Sequence, residues 1–179
     1  MLEIKKSSLV VVDVQGKLAN LMDNKEPLFA NVEILIKAAK ALEIPILWCQ
    51  QNPKGLGATL PQIAELLADS EPIDKFSFSC CGDENFTKQL KNSRRKQIIL
   101  CGIETHVCIY QTAMDLLDRN YEVNLVADAV SSRSAENKHI ALQRLSAEGV
   151  CLSSTEMTIF ELLKTAKHPK FKELAKLIR

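Results

Sequence analysis

The stretch Gln97-Ile-Ile-Leu-Cys-Gly-Ile-Glu-Thr-His-Val-Cys-Ile-Tyr-Gln111 constrains the fold of this chain more than any other. Ile98 to Cys101 is an uninterrupted apolar run and reads as a buried strand. Gly102 is expected to break it. From about Thr105 the apolar positions Val107, Tyr110, Met114 and Leu117 recur at helical spacing, with Asp115, Asp118 and Arg119 on other faces. A strand, a glycine turn and a helix in such close succession make a sharp elbow. Cys108 falls in the first turn of that helix, where unpaired backbone N–H groups and the positive end of the helix dipole favour an anion. A cysteine so placed can have a lowered pKa and react as a thiolate. It also reads as an ordinary core residue, because free cysteine is among the most buried residue types. The elbow alone does not choose between the two.

The rest of the chain repeats the alternation of strand and helix. Ser8 to Asp13 begins with four consecutive apolar residues, too continuous for a sheet with one wet face. Pro27 to Leu42 carries Leu28, Val32, Leu35, Ala39 and Leu42 along one helical stripe. Pro45 to Cys49 is a second strand, leading into the turn-rich loop Gln50–Gly57. Leu60 to Leu67 reads as a short helix with Pro61 in its first turn. Glu71 to Ser79 is ambiguous, a short strand followed by an irregular loop. Asp83 to Lys91 is helical, Tyr121 to Ala127 is a strand ending at Asp128, and Ser131 to Ser134 is turn-like. A helix from Ala135 to Ala147 stops at Gly149. Val150 to Leu152 is the last strand. Ser154 and Thr155 are candidate caps for a helix over Glu156–Leu163, and Phe171 to Ile178 is a short closing helix. Continuous apolar strands alternating with helices specify an α/β domain whose mostly parallel sheet is covered on both faces. Residues 1–179 read as a single domain, without linker, repeat or low-complexity segment.

Charge narrows the partners. Twenty-three Lys and Arg against 22 Asp and Glu leave a net charge of +1, which gives no reason to expect nucleic acid or an acidic membrane. No stretch approaches the roughly 18 apolar residues of a membrane span. The N-terminal residues lack the apolar core of a signal peptide, so a cytoplasmic location is expected. The six cysteines fit no C-x-x-C pair and no zinc spacing, and a cytosolic compartment keeps thiols reduced. Five of them read as structural or incidental, with Cys80 and Cys81 as an alternative redox pair.

In a doubly wound sheet, ligands bind beyond the carboxyl ends of the strands. Asp13, Lys75 and Cys108 all follow strands. Together they make chemical sense: a carboxylate to accept the thiol proton, an ammonium to stabilise and orient the acid, and a sulfur nucleophile. Each also has a plain structural reading, with Asp13 as a helix cap, Lys75 solvated and Cys108 in the core.

Three segments, Val-Val-Asp13-Val-Gln15, Asp74-Lys75-Phe-Ser-Phe-Ser and Gly102-Ile-Glu-Thr-His-Val-Cys108, resemble the signature segments of the isochorismatase-like cysteine hydrolases. Asp128 to Arg133 and Ser153 to Glu156 resemble that superfamily too, in the same order. Asn52 to Gly57 is similar to the subgroup of isochorismatase domain-containing proteins. The resemblance implies a six-stranded parallel sheet in a three-layer α/β/α sandwich, with Asp13, Lys75 and Cys108 as a catalytic triad. It also implies a cis peptide between Ile103 and Glu104, and an oxyanion hole made by the backbone N–H groups of Glu104 and Cys108. Homo-oligomers are common in the superfamily and are expected here.

The departures narrow the chemistry. Nicotinamidases of the superfamily hold a metal through an Asp-x-His and a further His after the second strand. Here that region is Trp48 to Lys54, without histidine, and His106, His139 and His168 fall at no ligand spacing. No metal and no other cofactor are expected, and His106 is expected at the surface. Isochorismatases proper have no cysteine matching Cys108, which disfavours vinyl-ether hydrolysis. Gln15, Leu18, Gln50 and Phe78 are the candidate pocket residues. The expectation is a metal-independent cysteine hydrolase of a small amide, carbamoyl or related acyl compound. The rivals are a catalytically silent binding or scaffold protein and a thiol redox sensor.

Overall fold

The computed structural model describes residues 1–178. Its strands are β1 (Ser7–Val12), β2 (Ile46–Gln51), β3 (Ile73–Lys75), β4 (Gln97–Ile103), β5 (Glu122–Ser131) and β6 (Cys151–Ser153). They form one six-stranded sheet in the order β3-β2-β1-β4-β5-β6, with every neighbouring pair parallel. The helices follow in chain order: α1 (Gly16–Ala19), α2 (Lys25–Ala41), α3 (Pro53–Leu56), α4 (Pro61–Leu66), α5 (Glu84–Ser93), α6 (Tyr110–Asp118), α7 (Ala135–Ala147), α8 (Thr155–Leu163) and α9 (Phe171–Ala175).

The apolar runs are continuous because the central strands face two cores. Leu9 and Val11 of β1, with Ile99, Cys101 and Ile103 of β4, pack under α2, α4, α8 and α9. Val10, Val12, Ile98 and Leu100 point the other way, onto α5, α6 and α7. Alternate residues of a strand take opposite faces, so burial on both sides leaves no polar position along it. The result is the three-layer sandwich expected from the sequence. Three helices start on side-chain caps: Asp83 accepts from the N–H of Phe86, Ser134 from that of Asn137, and Ser154 from that of Met157.

Two residues that read as strand terminators lie inside strands. Gly102 does not end β4, which runs on to Ile103. The glycine has φ +120°, and a Cβ there would lie 2.0 Å from the Val12 carbonyl oxygen. It is needed because the β1 backbone passes too close for a side chain. Similarly β5 continues through Asp128 to Ser131. The β4–β5 register shifts between Leu100 and Gly102, after which Gly102 pairs with Val130 and Ile103 with Ser131. A bulge leaves Asp128 exposed in mid-strand, so the sequence there reads as a turn. The elbow helix also starts differently. Thr105–Ile109 forms a π-helical turn before α6 begins.

The strand order reverses between β1 and β4. From β1 the chain moves outward to β2 and β3, and from β4 it moves outward the other way. Such a switch point leaves a crevice beyond the carboxyl ends of the two central strands.

Candidate active site

Asp13 is the residue immediately after β1. It has φ +54°, and its N–H donates to the Cys49 carbonyl at 3.0 Å. Its side chain is 2% exposed and pairs with the fully buried ammonium of Lys75, the last residue of β3, at 2.7 Å. The ammonium also donates to Gln51 Oε1 at 2.7 Å, the Phe78 carbonyl at 3.0 Å and the Ser77 carbonyl at 3.2 Å. An ammonium has three protons, so these four acceptors saturate it. Lys75 is a fixed charge behind Asp13 with no donor left for a ligand. Asp13 Oδ1 has no hydrogen-bond partner among the described residues.

Cys108 lies in the π-helical turn on the other side of the crevice, 8% exposed. With Asp13 it lines a small pocket of about 90 Å³, the share of liquid volume taken by about three water molecules. The sequence-predicted residues Gln15, Leu18, Phe78 and Glu104 are also on its wall. So Asp13, Lys75 and Cys108, far apart in sequence, form one cluster.

The lowered pKa expected of Cys108 is not found. Burial first, and then the negative charge of Asp13, push its thiol up to about 12, against the opposing pull of Lys75. The dipole of one turn does not offset a carboxylate beside the sulfur. Burial likewise raises Asp13 above the usual carboxylate range, with Lys75 opposing. For Lys75 burial acts against the ammonium, but the charge and hydrogen bond of Asp13 together with the nearby Cys80 and Cys108 outweigh it, and the net direction is upward. The Asp13–Lys75 ion pair supplies a carboxylate and an ammonium, and Cys108 beside it is a neutral thiol.

Gln50 is not on the wall. Its amide donates to Asp74 at 2.8 Å, and its carbonyl accepts from the N–H and Oγ1 of Thr59 at 3.1 Å. Gln51 takes the place expected of it, touching the pocket and Lys75. Alternation could have found this: Leu47 and Cys49 share a core with Cys108, and the next residue of β2 on that face is Gln51. Leu56, Ile103 and Val107 also line the pocket and were not anticipated. Gln15 is there as a clamp. Its amide donates to the carbonyls of Gln51 at 2.9 Å and Gly57 at 2.7 Å, and its oxygen accepts from the Gln51 N–H at 2.6 Å. His106 is half-buried rather than on the surface, because Nδ1 bonds the Ser132 hydroxyl at 2.9 Å.

The Ile103–Glu104 peptide is cis. The Glu104 carboxylate is tied to Arg133, accepting from its Nε at 3.0 Å and its backbone N–H at 3.2 Å. Across the pocket, α6 holds the loop that grips Lys75. Thr112 Oγ1 accepts from the Cys80 N–H at 2.9 Å, and Asp115 accepts from the Ser79 hydroxyl at 2.6 Å. Cys80 and Cys81 are both buried. Among the described residues no group of three His, Cys, Asp or Glu is arranged to hold a metal ion, and no helix is long and apolar enough to cross a membrane.

A doubly wound parallel sheet with an acid, an ammonium and a thiol at its switch point makes this an α/β protein with a candidate active site there. The family model for the isochorismatase domain matches residues 7–157, and the chain belongs to the isochorismatase family. It is 43% identical to isochorismatase domain-containing protein 2 of Danio rerio, over 99% of this chain and 89% of that protein. Among solved structures it is similar to the MAR1 ribonuclease of Caenorhabditis elegans, with a TM-score of 0.93 and 42% identity over 99% of this chain and 91% of that one. The fold is also that of the Escherichia coli YcaC gene product, described as an octameric hydrolase of unknown specificity. That comparison has a TM-score of 0.93 and 24% identity, covering 99% of this chain and 88% of that one.

Proposed function

We propose that this chain is a metal-independent cysteine hydrolase of a small amide, carbamoyl or related acyl compound, with Asp13, Lys75 and Cys108 as its catalytic residues. One observation carries the reading: a buried Asp13–Lys75 ion pair borders a pocket that also holds Cys108, while one Asp13 oxygen has no partner. A buried, unpaired carboxylate oxygen is costly unless it serves a purpose. Here it serves as the proton acceptor. Asp13 takes the Cys108 proton as the sulfur attacks the carbonyl carbon, forming the S–C bond. The N–H groups of Glu104 and Cys108 hold the oxyanion. Asp13 then passes the proton to the leaving nitrogen, the C–N bond breaks, and an acyl thioester remains. In the second half Asp13 deprotonates water, the new oxygen–carbon bond displaces the sulfur, and the proton returns to Cys108. Lys75 stays charged throughout and favours the ionised form of the acid against the effect of burial.

The name of the C. elegans relative suggests a second reading, cleavage of RNA. The pocket argues against it. The charged residues on its wall are Asp13 and Glu104, whose partners Lys75 and Arg133 do not line it, so it offers a phosphodiester no free cation. The same picture takes the protein as cytosolic and as a homo-oligomer, in keeping with the octameric E. coli neighbour.

Ammonia release and thioester trapping by mass spectrometry, over a panel of small amides and carbamoyl compounds with RNA as a further substrate, test these alternatives. The expected result is amide turnover with an acyl adduct on Cys108, and a folded Cys108→Ala variant slowed by at least about a thousandfold. Amide turnover that survives Cys108→Ala would end the proposal. RNA cleavage without amide turnover would favour the second reading. If exchanging Cys80 and Cys81 abolishes function while Cys108 is dispensable, the protein is a thiol redox sensor.

A further inference from the structure

We propose that the substrate of this site carries an anionic group, a carboxylate, separated from its scissile amide by an apolar spacer, and that Lys17 and Lys54 bind that group. The inference rests on the hydrolase reading above and adds the substrate class to it.

The inner pocket cannot take an anion. Asp13 and Glu104 are the charged residues on its wall. The cations paired with them, Lys75 and Arg133, do not line it, and Lys75 has every proton committed. A carboxylate placed there would meet no free cation and would lie beside two acids already paired elsewhere. The inner pocket is suited to a neutral head such as a carboxamide.

Next to it lies a wider cavity of about 610 Å³. The two share Leu18 and Leu56, so the wall between them is apolar. The outer cavity is lined by Lys17 and Lys54, and no carboxylate is on its wall. Both lysines are exposed, and among the described residues neither ammonium has an ion pair or a hydrogen bond.

Tertiary contact fixes the two lysines together. α1 and α3 come from opposite ends of a forty-residue excursion, yet a Cβ on Gly16 would lie 1.7 Å from the Leu56 carbonyl oxygen. Gly16 has φ +55°, its N–H donates to the Ala58 carbonyl at 3.0 Å, and the Gln15 amide holds Gly57. The loop amides Gly16, Gly55, Leu56 and Gly57 all have backbone acceptors, whereas among the described residues the ammonium groups of Lys17 and Lys54 have none. From the nucleophile outwards the order is Cys108 beside Asp13, two shared leucines, then two cations. A monoamide of a dicarboxylic acid has the complementary order. Its hydrolysis consumes water, breaks the C–N bond and yields a dicarboxylate and ammonium.

The test separates binding from turnover. Monoamides of butanedioic, pentanedioic and hexanedioic acid are compared with uncharged amides of equal chain length by saturation-transfer NMR on Cys108→Ala, at 20 and 500 mM NaCl. The expected result is that at least one monoamide binds about tenfold tighter than its uncharged match at low salt, the size of gain that two exposed ion pairs give. That preference is lost at high salt and when Lys17→Glu and Lys54→Glu are added. Equal binding of the two series, no binding of either, or a preference that survives the charge reversal would overturn the inference. Wild-type ammonia release then tests the other layer. Salt-sensitive binding of monoamides without turnover would sink the hydrolase reading and leave the anion site standing. Turnover of uncharged amides with no preference for monoamides would do the reverse.

Discussion

The charge of a single residue decides how this site works. Cys108 is a thiol at rest because burial and the adjacent Asp13 both oppose its ionisation, and Lys75 only partly compensates. The sign of each influence gives a prediction that runs against the usual pairing of reactivity with activity. Asp13→Asn removes the negative charge, so the Cys108 pKa falls and more thiolate exists at any given pH. Alkylation of Cys108 by iodoacetamide at pH 8 should therefore become several-fold faster in Asp13→Asn, while amide turnover is abolished because the proton acceptor is gone. Peptide mass spectrometry on timed samples reads the first effect and ammonia release the second. Slower alkylation in the variant would mean that Asp13 activates the sulfur at rest, contrary to this assignment. The residues of the cluster were legible in the sequence as polar side chains at strand ends. Their ionisation was not, since it depends on how far water is excluded and on a partner 62 residues away.

At the scale of elements, α6 couples the two sides of the site. The turn that leads into it carries Cys108, and Thr112 and Asp115 on its body hold the loop whose carbonyls grip Lys75. Thr112→Val keeps the shape and removes the acceptor of the buried Cys80 N–H. The expected loss of stability is about 1–3 kcal/mol, the cost of one buried unsatisfied donor. A looser loop also lets Lys75 move from Asp13, and positioning losses of that kind typically cost about 10- to 100-fold in rate. Because Lys75 lowers the Cys108 pKa, the alkylation profile of Cys108 should move to higher pH, which urea unfolding alone would not reveal. An unchanged profile with normal turnover would reduce Thr112 to a packing role. Element identity was well marked in the sequence: α7 spans Ala135–Ala147 as the helical stripe and Gly149 indicated. Gly102 and Asp128 were misleading, because a glycine and a polar residue resemble local turns. What they serve is a close approach of β1 to β4 and a bulge in β5, both set by a neighbouring strand.

For the whole molecule, the buried thiols set a limit on alkaline stability. Cys81 and Cys108 are pushed up to about 12, mainly by burial. Cys101 is raised by burial alone, and Cys49 by its contact with Cys80 and by burial. In the unfolded chain these groups ionise near 8.5. Above that pH the unfolded state has given up protons that the folded state retains, so stability falls as pH rises, and below it the contribution is constant. Each such thiol steepens the fall by up to about 1.4 kcal/mol per pH unit. Urea unfolding under reducing conditions between pH 7.5 and 10.5 should show this decline, and Cys101→Ala should make it shallower by about that amount. Equal slopes for the two proteins would show that Cys101 is not protected as described. The sequence by itself determined the layered α/β plan, the longer strands and helices and the three polar residues that follow strands, while it left β3 ambiguous and read α3 as loop. Apolar period, caps and turn chemistry are local properties that survive without knowledge of neighbours. Only the tertiary structure decided that Gln51 rather than Gln50 meets Lys75, that the Lys75 ammonium is saturated, that Cys108 rests as a thiol and that the pocket beside it shares two leucines with a cavity lined by a pair of lysines. Those depend on distances between remote segments and on the exclusion of water, which are fixed only when the layers pack.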